Sequence, residues 1–389
     1  MILFILIGIP LLSLVWLVWA NRRLKKLQPP RWVSIFITIS IALLLTGYIW
    51  VILSRAEHAP KVSPLAYSFV LLWGILSLPL IALPSMVGWS IFSIFRKVSG
   101  KSDQTEAPES PPVDEGRRQL LGAVAVALPV IATFGAAAIA IPQRNRFRIR
   151  EIRVPIANLP KDLHGLRIAH LSDTHVGKFT SGKVLVDLAE ATNKLKADLV
   201  LLTGDLIDNS LDDLPEALDM VGRLDPRSGL YLIEGNHDLF HGPEQFGQGV
   251  IDRGFNLLRD ETAVVTAKGH PIELLGIRWN QRGTPIETHI DQVMNEHNPE
   301  ALPILLAHHP HAFDHAAKLG IPLTLAGHTH GGQLMLTPEI GAGPMMFKYW
   351  SGLYQKPDAN LVVSNGAGNW FPLRTASPAE IVHVTLIRA

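Results

Sequence analysis

The feature that most restricts this chain is a repetition. Five short runs, Leu166 to Leu171, Ala197 to Leu202, Leu230 to Glu234, Leu302 to Ala307 and Pro322 to Leu325, each pass directly into polar, ligand-type residues. The tips read Ser172-Asp173-Thr174-His175, Thr203-Gly204-Asp205 with Asp208 beyond, Gly235-Asn236-His237-Asp238, His308-His309-Pro310, and Ala326-Gly327-His328-Thr329-His330-Gly331-Gly332-Gln333. Short apolar runs bounded by turn residues read as buried strands. One such tip is an ordinary loop. Five in order, all carrying Asp, Asn or His, are hard to explain as five solvated loops. In open α/β sheets ligands sit beyond the carboxyl ends of the strands, so these tips are expected to meet. In the last of them, His328 and His330 stand at i and i+2 and point the same way at a strand end, which suits two imidazoles to one metal site.

The segments between the runs set the fold class. Lys183 to Lys194 has helical spacing, with Val184, Leu185, Leu188 and Ala189 on one face. Leu214 to Val221, Glu244 to Arg253 and Thr284 to Glu296 read as further helices. Phe147 to Ile156 alternates as a strand does, Asn256 to Ile277 is β-rich, and Asn360 to Ser364 and Glu380 to Ile387 read as closing strands. Strands that first alternate with helices and then cluster suit two mixed sheets packed face to face with helices outside.

The first 141 residues differ in kind. Residues 1–20, 32–54, 64–95 and 120–141 are apolar runs, each near or above the length that spans a bilayer. No basic segment precedes the first run, so it reads as a retained helix and not as a cleaved signal. Pro79 and Pro84 would kink or tilt the third. Residues 96–118, rich in Lys, Ser, Glu, Pro and Asp, read as a flexible linker. The expected organisation is a membrane region over 1–141 and a globular domain over 147–389. The loop after the first run carries Arg22, Arg23, Lys25, Lys26 and Arg31, and the segment before the fourth carries Arg96, Lys97, Lys101, Arg117 and Arg118. The loop between the second and third has only Arg55 and Lys61. The positive-inside rule then puts the globular domain outside the cytoplasm. Arg144, Arg146, Arg148, Arg150 and Arg153 argue the other way, but large domains translocate largely regardless of charge.

Composition excludes some chemistry. There is no cysteine, hence no disulfide, thiolate metal site or cysteine nucleophile. Lys and Arg total 35 against 34 Asp and Glu, a balance that gives no reason to expect nucleic acid as a partner. The tips hold more Asp, Asn and His than one tetrahedral ion needs, which suits two divalent ions sharing a carboxylate. Oxygen and imidazole donors fit manganese, iron or zinc. The apolar runs hold no acidic, basic or histidine side chain, which favours anchoring over transport.

The series Asp-x-His, Gly-Asp-x-x-Asp, Gly-Asn-His-Asp, His and Gly-His-x-His resembles the five-part signature of the calcineurin-like metallophosphoesterases, over roughly Leu166 to Gln333. Asn365-Gly366-Ala367-Gly368, Pro372-Leu373-Arg374 and Pro378-Ala379-Glu380-Ile381 resemble the ending of a membrane-associated branch of that family. The resemblance implies a four-layer α-β-β-α sandwich. It implies that Asp173, His175 and His330 hold one ion, Asn236, His308 and His328 the other, and that Asp205 bridges them. It implies that His237 faces the substrate as general acid or hydrogen-bond donor, with Asp238 orienting it. Asp208 reads equally as a helix cap or as a support for the site. His309 reads as a neighbour of the donors, and Arg374 as a contact to a substrate anion or a surface ion pair. The activity implied is hydrolysis of a phosphate ester or pyrophosphate, with a phospholipid or lipid-linked pyrophosphate as candidate substrate. The alternatives are a binding or sensor module with weak catalysis, and a phosphodiesterase for a soluble extracytoplasmic substrate.

Overall fold

The computed structural model describes residues 7–55, 63–99, 115–279 and 283–389. It divides into two units, Met1–Ile141 and Pro142–Ala389.

In the first unit, three described helical stretches are long and apolar enough to cross a membrane: Arg31–Leu53, Leu65–Phe95 and Gln119–Gln143. Four spans were expected. The first, residues 1–20, begins outside the described residues. Its described part belongs to a helix, Ile9–Leu27, that runs on through Arg22, Arg23, Lys25 and Lys26 and so is not apolar throughout. The third stretch is not a uniform helix. An α-helical turn at Pro64–Leu71 passes into a π-helical segment, Leu72–Ala82, and back to α-helix over Leu83–Ser99. Pro79 lies in the π segment, where its missing N–H removes one rung of the ladder. Of the expected linker, residues 100–114 lie outside the described residues; a helix resumes at Glu115–Ala140. Trp16 and Trp73 meet edge to face at 5.4 Å, and the Trp73 indole N–H donates to Ser13 Oγ at 2.8 Å. This satisfies a polar group buried among apolar side chains.

Among its described residues the second unit holds twelve strands: β1 Phe147–Ile156, β2 Arg167–Leu171, β3 Leu199–Thr203, β4 Gly229–Ile233, β5 Asn256–Leu258, β6 Glu261–Ala267, β7 His270–Gly276, β8 Leu302–Leu306, β9 Leu323–Ala326, β10 Gly352–Lys356, β11 Ala359–Val363 and β12 Ala379–Arg388. They form two six-stranded mixed sheets, β1-β12-β2-β3-β4-β5 and β10-β11-β9-β8-β7-β6. The period of two along each strand decides the layers. Ile168, Leu199, Leu201 and Ile233 face a core shared with Leu274, Ile304, Leu325 and Val362 of the other sheet. The residues between them, Ala169, Leu171, Val200 and Leu202, face outward against helices Lys183–Lys194, Leu214–Val221 and Pro243–Asp252. The second sheet is covered by Ile286–Asn295 and Ala312–Ala316. The result is the four-layer α-β-β-α sandwich. Both faces of β3 are buried, which explains why Leu-Val-Leu-Leu-Thr reads as an unbroken apolar run. Strands β2, β3 and β4 are parallel, as are β7, β8 and β9, so in each sheet the tips that carry Asp, Asn and His leave from one edge.

Candidate metal centre

The five tips do meet, and backbone hydrogen bonds tie the first to the second and the fourth to the fifth. The Asp173 amide donates to the Gly204 carbonyl at 2.9 Å, His175 to Asp205 at 3.0 Å, and Gly327 to His308 at 3.1 Å. Two glycines are needed for this closeness. A Cβ on Gly235 would lie 2.2 Å from Asp205 Oδ1, and one on Gly327 would lie 2.1 Å from Asp173 Oδ2. Five donors, Asp173, His175, Asp205, His328 and His330, sit at positive φ between 42° and 69°. Such a conformation costs a non-glycine residue on the order of 1–3 kcal/mol and persists where the surroundings enforce it, typically at functional sites.

The side chains form one cluster with a shared centre. His330 Nε2 lies 3.2 Å from Asp173 Oδ1 and 3.0 Å from His175 Nε2. On the other side His328 Nδ1 lies 3.0 Å from Asn236 Oδ1 and 3.3 Å from His308 Nε2. Asp205 Oδ2 stands between the two groups, 3.4 Å from His175 Nε2 and 3.2 Å from His308 Nε2. All seven predicted donors are therefore brought together. Among the described residues three sets have ligand atoms within 4.8 Å of one another: Asp173 with His175 and His330; Asp205 with His308 and His328; and His175 with Asp208 and His237.

Electrostatics and tautomers fit a cation-binding cluster. Burial pushes His308 down, but Asp205 and Asp173 outweigh it and hold the ring up at about 9. Burial likewise opposes His175, whose carboxylate neighbours Asp173, Asp208 and Asp205 hold it up at about 10. Asp173 is held well below the usual carboxylate range, against its own burial, by His330, His175 and His308. His308 Nδ1 lies 2.7 Å from the Thr203 carbonyl, an acceptor only, so this nitrogen donates. The remaining nitrogen, Nε2, then turns a lone pair toward the Asp205 carboxylate whenever the ring is neutral. Two acceptors that face each other need a proton or a cation between them. An oxygen and imidazole donor set without sulfur suits a pair of hard-to-borderline divalent ions.

Some supporting roles differ from those that sequence suggested. Asp238 does not orient His237. Its Oδ1 accepts from the Ile207 amide at 3.0 Å and its Oδ2 from the Gly235 amide at 2.9 Å, which braces the turns that carry Asp205 and Asn236. Burial and the charge of Asp205 push this carboxyl up to about 7. The carboxylate beside His237 belongs to Asp208. His237 Nδ1 donates to the Asp208 backbone carbonyl at 2.5 Å, with Asp208 Oδ1 3.6 Å away. That same Oδ1 is 3.5 Å from His175 Nδ1. Asp208 thus serves a donor histidine and the neighbouring histidine together. His309 stands outside the donor sets and stacks on His311 at 4.4 Å. Arg374 is not a surface residue. It is fully buried, donates to Asn369 Oδ1 at 2.7 Å and the Gly368 carbonyl at 2.7 Å, and places an Nη 3.1 Å from His330 Nδ1. Burial pulls it down to about 10. Sequence reasoning also missed Trp279, whose ring lies 4.9 Å from His328 and 5.5 Å from His308. It lines a cavity of 230 Å³ with Arg278, Ile286 and His309. Its position after β7 was a signal, since β7 leaves the sheet beside β8 and His308.

A family model for calcineurin-like phosphoesterases matches residues 166–332. The chain is 31% identical over 276 residues to a transmembrane protein with metallophosphoesterase domain from Danio rerio, covering 67% of this chain and 61% of that protein. It is 30% identical over 250 residues to a metallophosphoesterase of Helicobacter pylori, covering 62% and 64%. It is 29% identical over 258 residues to a transmembrane protein with metallophosphoesterase domain from Bos taurus, covering 61% and 56%. The chain therefore spans less than two thirds of the length of each of these relatives. The matched segment encloses every donor from Asp173 to His330 and the strand order that gathers them, and on that ground the chain carries a calcineurin-like metallophosphoesterase domain.

Proposed function

We propose that this chain is a membrane-anchored, two-metal hydrolase of phosphate esters or pyrophosphates, acting on a phospholipid or a lipid-linked pyrophosphate. The observation that carries the reading is Asp205, whose Oδ2 lies between His175 Nε2 at 3.4 Å and His308 Nε2 at 3.2 Å. A carboxylate so placed can serve two ions at once. Asp173, His175 and His330 would hold one divalent ion, Asn236, His308 and His328 the second, with manganese, iron and zinc all compatible. Such a pair supplies a water nucleophile active at neutral pH and neutralises charge on a phosphoryl group.

The chain's own residues do the rest. His237 commits Nδ1 to the Asp208 carbonyl, which leaves Nε2 to hold or give a proton to the departing oxygen. Its ring is only partly buried and packs 4.6 Å from Phe240, so it faces the entrance and not the core. Asp238 fixes the Asp205 and Asn236 turns through backbone amides and acts as a positioning residue. Arg374 clamps the His330 ring from behind. Three apolar helices and a nearby basic segment from Arg144 to Arg153 suit an enzyme confined to an anionic surface, where enzyme and substrate share a reduced volume. The loop charges favour an extracytoplasmic catalytic domain. This does not depend on the first apolar run, because the basic segment Arg22 to Arg31 precedes the span Arg31–Leu53.

The test uses purified full-length protein, stripped with chelator and reloaded. An aryl phosphodiester should be cleaved only after divalent metal is restored, and a lipid phosphoester in nanodiscs should be cleaved as well. Full activity in the stripped protein would remove the two-metal reading. Cleavage of the soluble ester with none of the lipid would make a soluble extracytoplasmic phosphodiester the better assignment.

A further inference from the structure

Most of the donors are buried, but one rim beside them is not dressed for water. Residues 334–347, between the His330-Gly331-Gly332 turn and β10, make a compact excursion. Met335 bridges to Gly341, and the Leu336 amide donates to the Ile340 carbonyl at 2.7 Å, which closes a tight turn around Pro338. The Met335 amide donates to Thr375 Oγ1 at 2.8 Å, and the Trp350 indole N–H donates to the Pro338 carbonyl at 3.3 Å. The shape is thus defined by hydrogen bonds, and what it displays is apolar. Leu336 is 83% exposed, Met345 85%, Met346 70% and Ile340 58%. Among the other described residues of the globular unit, the next large hydrophobic is Val264 at 53%. Exposed apolar residues scattered singly are ordinary, whereas several on one excursion mark an interaction surface.

Two further observations say what covers it. The foot of the excursion keeps a net positive charge: Met335 and Pro338 line a cavity of 220 Å³ together with Arg148 and Arg150 of β1, two guanidinium groups that share the single buried carboxylate of Glu380. Only three residues, Arg144 to Arg146, separate β1 from the end of the apolar span Gln119–Gln143. An apolar tip above basic side chains, a short tether from a membrane span, is the pattern of an element seated in an anionic lipid interface. The excursion also adjoins the mouth of the metal centre. The Gln333 side-chain amide donates to the Phe371 carbonyl at 3.3 Å, and the neighbouring Trp370, itself exposed, lies 6.2 Å from His237 and 6.4 Å from His330.

We propose that residues 334–347 insert their apolar tip into the interface of an anionic bilayer and hold the mouth of the metal centre against the headgroups. As a route for substrate this rests on the lipid reading above; as a contact it does not. The chain has no cysteine, so a single one can be placed at will. Full-length Met345→Cys, labelled with an environment-sensitive fluorophore and reconstituted in nanodiscs of phosphatidylcholine and phosphatidylglycerol, should shift to the blue and be quenched by lipid-borne nitroxide. Glu190→Cys, on the exposed side of helix Lys183–Lys194, should be quenched by aqueous iodide only. Iodide quenching of Met345→Cys equal to that of Glu190→Cys would overturn the proposal. So would protection from both quenchers, which would mean that a second copy or another protein covers the tip. A triple variant, Leu336→Ser with Met345→Ser and Met346→Ser, should keep its metal content and its rate on a soluble aryl ester, and cleave the lipid in nanodiscs roughly tenfold more slowly through lost surface confinement. An unchanged lipid rate would count against the proposal. Lipid quenching of the tip in a protein that cleaves only soluble esters would sink the lipid-substrate reading and leave the contact standing.

Discussion

The two halves of the proposed metal centre are built differently. Asp173, His175 and His330 are buried to within 4% exposure and braced from behind, His330 by Arg374 and His175 by Asp208. Asn236 and His328 on the other half are only partly buried, and the cavity lined by Trp279, Arg278 and His309 opens beside His308. A closed half with oriented donors suits an ion that stays. A half that opens onto a cavity suits an ion that meets substrate and exchanges with solvent. The difference teaches that a sequence signature can list donors as equals while the fold gives them unequal surroundings, through what stands behind each one.

The strongest way to break this comparison is to remove what the halves share. Asp205→Ala should lose both ions, with turnover falling to background, whereas Asn236→Ala should retain the ion of the closed half. Elemental analysis of the two variants, both purified in excess manganese, distinguishes them. Equal losses would mean that Asp205 is not shared. Next in size, His237→Ala should keep both ions and lose on the order of 10²–10⁴-fold in kcat on a substrate with a poor leaving group; an unchanged kcat would remove the proton-transfer role. The bracing of the closed half is sharpened by Asp208→Ala. Groups that orient a donor histidine typically contribute roughly 10–100-fold in metal affinity, and the loss should fall on the first ion alone, as a metal titration with two resolved steps would show. The smallest effect is expected at Trp279→Ala. Loss of one aromatic wall of the open cavity should raise KM for a bulky ester by roughly tenfold with kcat little changed, and a fall in kcat alone would point to a role in positioning the second ion.

How much of this was legible in the chain varies with the physics involved. The donors were legible because each sits where an apolar strand stops, and strand ends are marked locally by the change from Leu, Val and Ile to Gly, Asp and His. Helix Leu214–Val221 and strand β1 fall where their apolar spacing put them. Strand β10 was not seen, since Gly-Leu-Tyr-Gln-Lys is an edge strand with one partner and carries little apolar pattern. Asp238 was misassigned because adjacency in sequence suggested adjacency of side chains; the turn sends its carboxylate to backbone amides and leaves Asp208, twenty-nine residues earlier, beside His237. Arg374 was illegible because burial of a charged residue is decided by tertiary packing, here by carbonyls from three separate turns. The exposed tip at Leu336 and Met345 was hidden for the converse reason: apolar residues read as core until the fold leaves them outside.

The central claim is that two ions share one carboxylate. Full-length protein saturated with manganese tests it directly by elemental analysis together with electron paramagnetic resonance. Two ions held about 3.5–4 Å apart by a common carboxylate should give two manganese per chain and the multiline spectrum of an exchange-coupled pair, lost in Asp205→Ala. One ion per chain at saturation, or two ions with the spectrum of isolated centres, would contradict it.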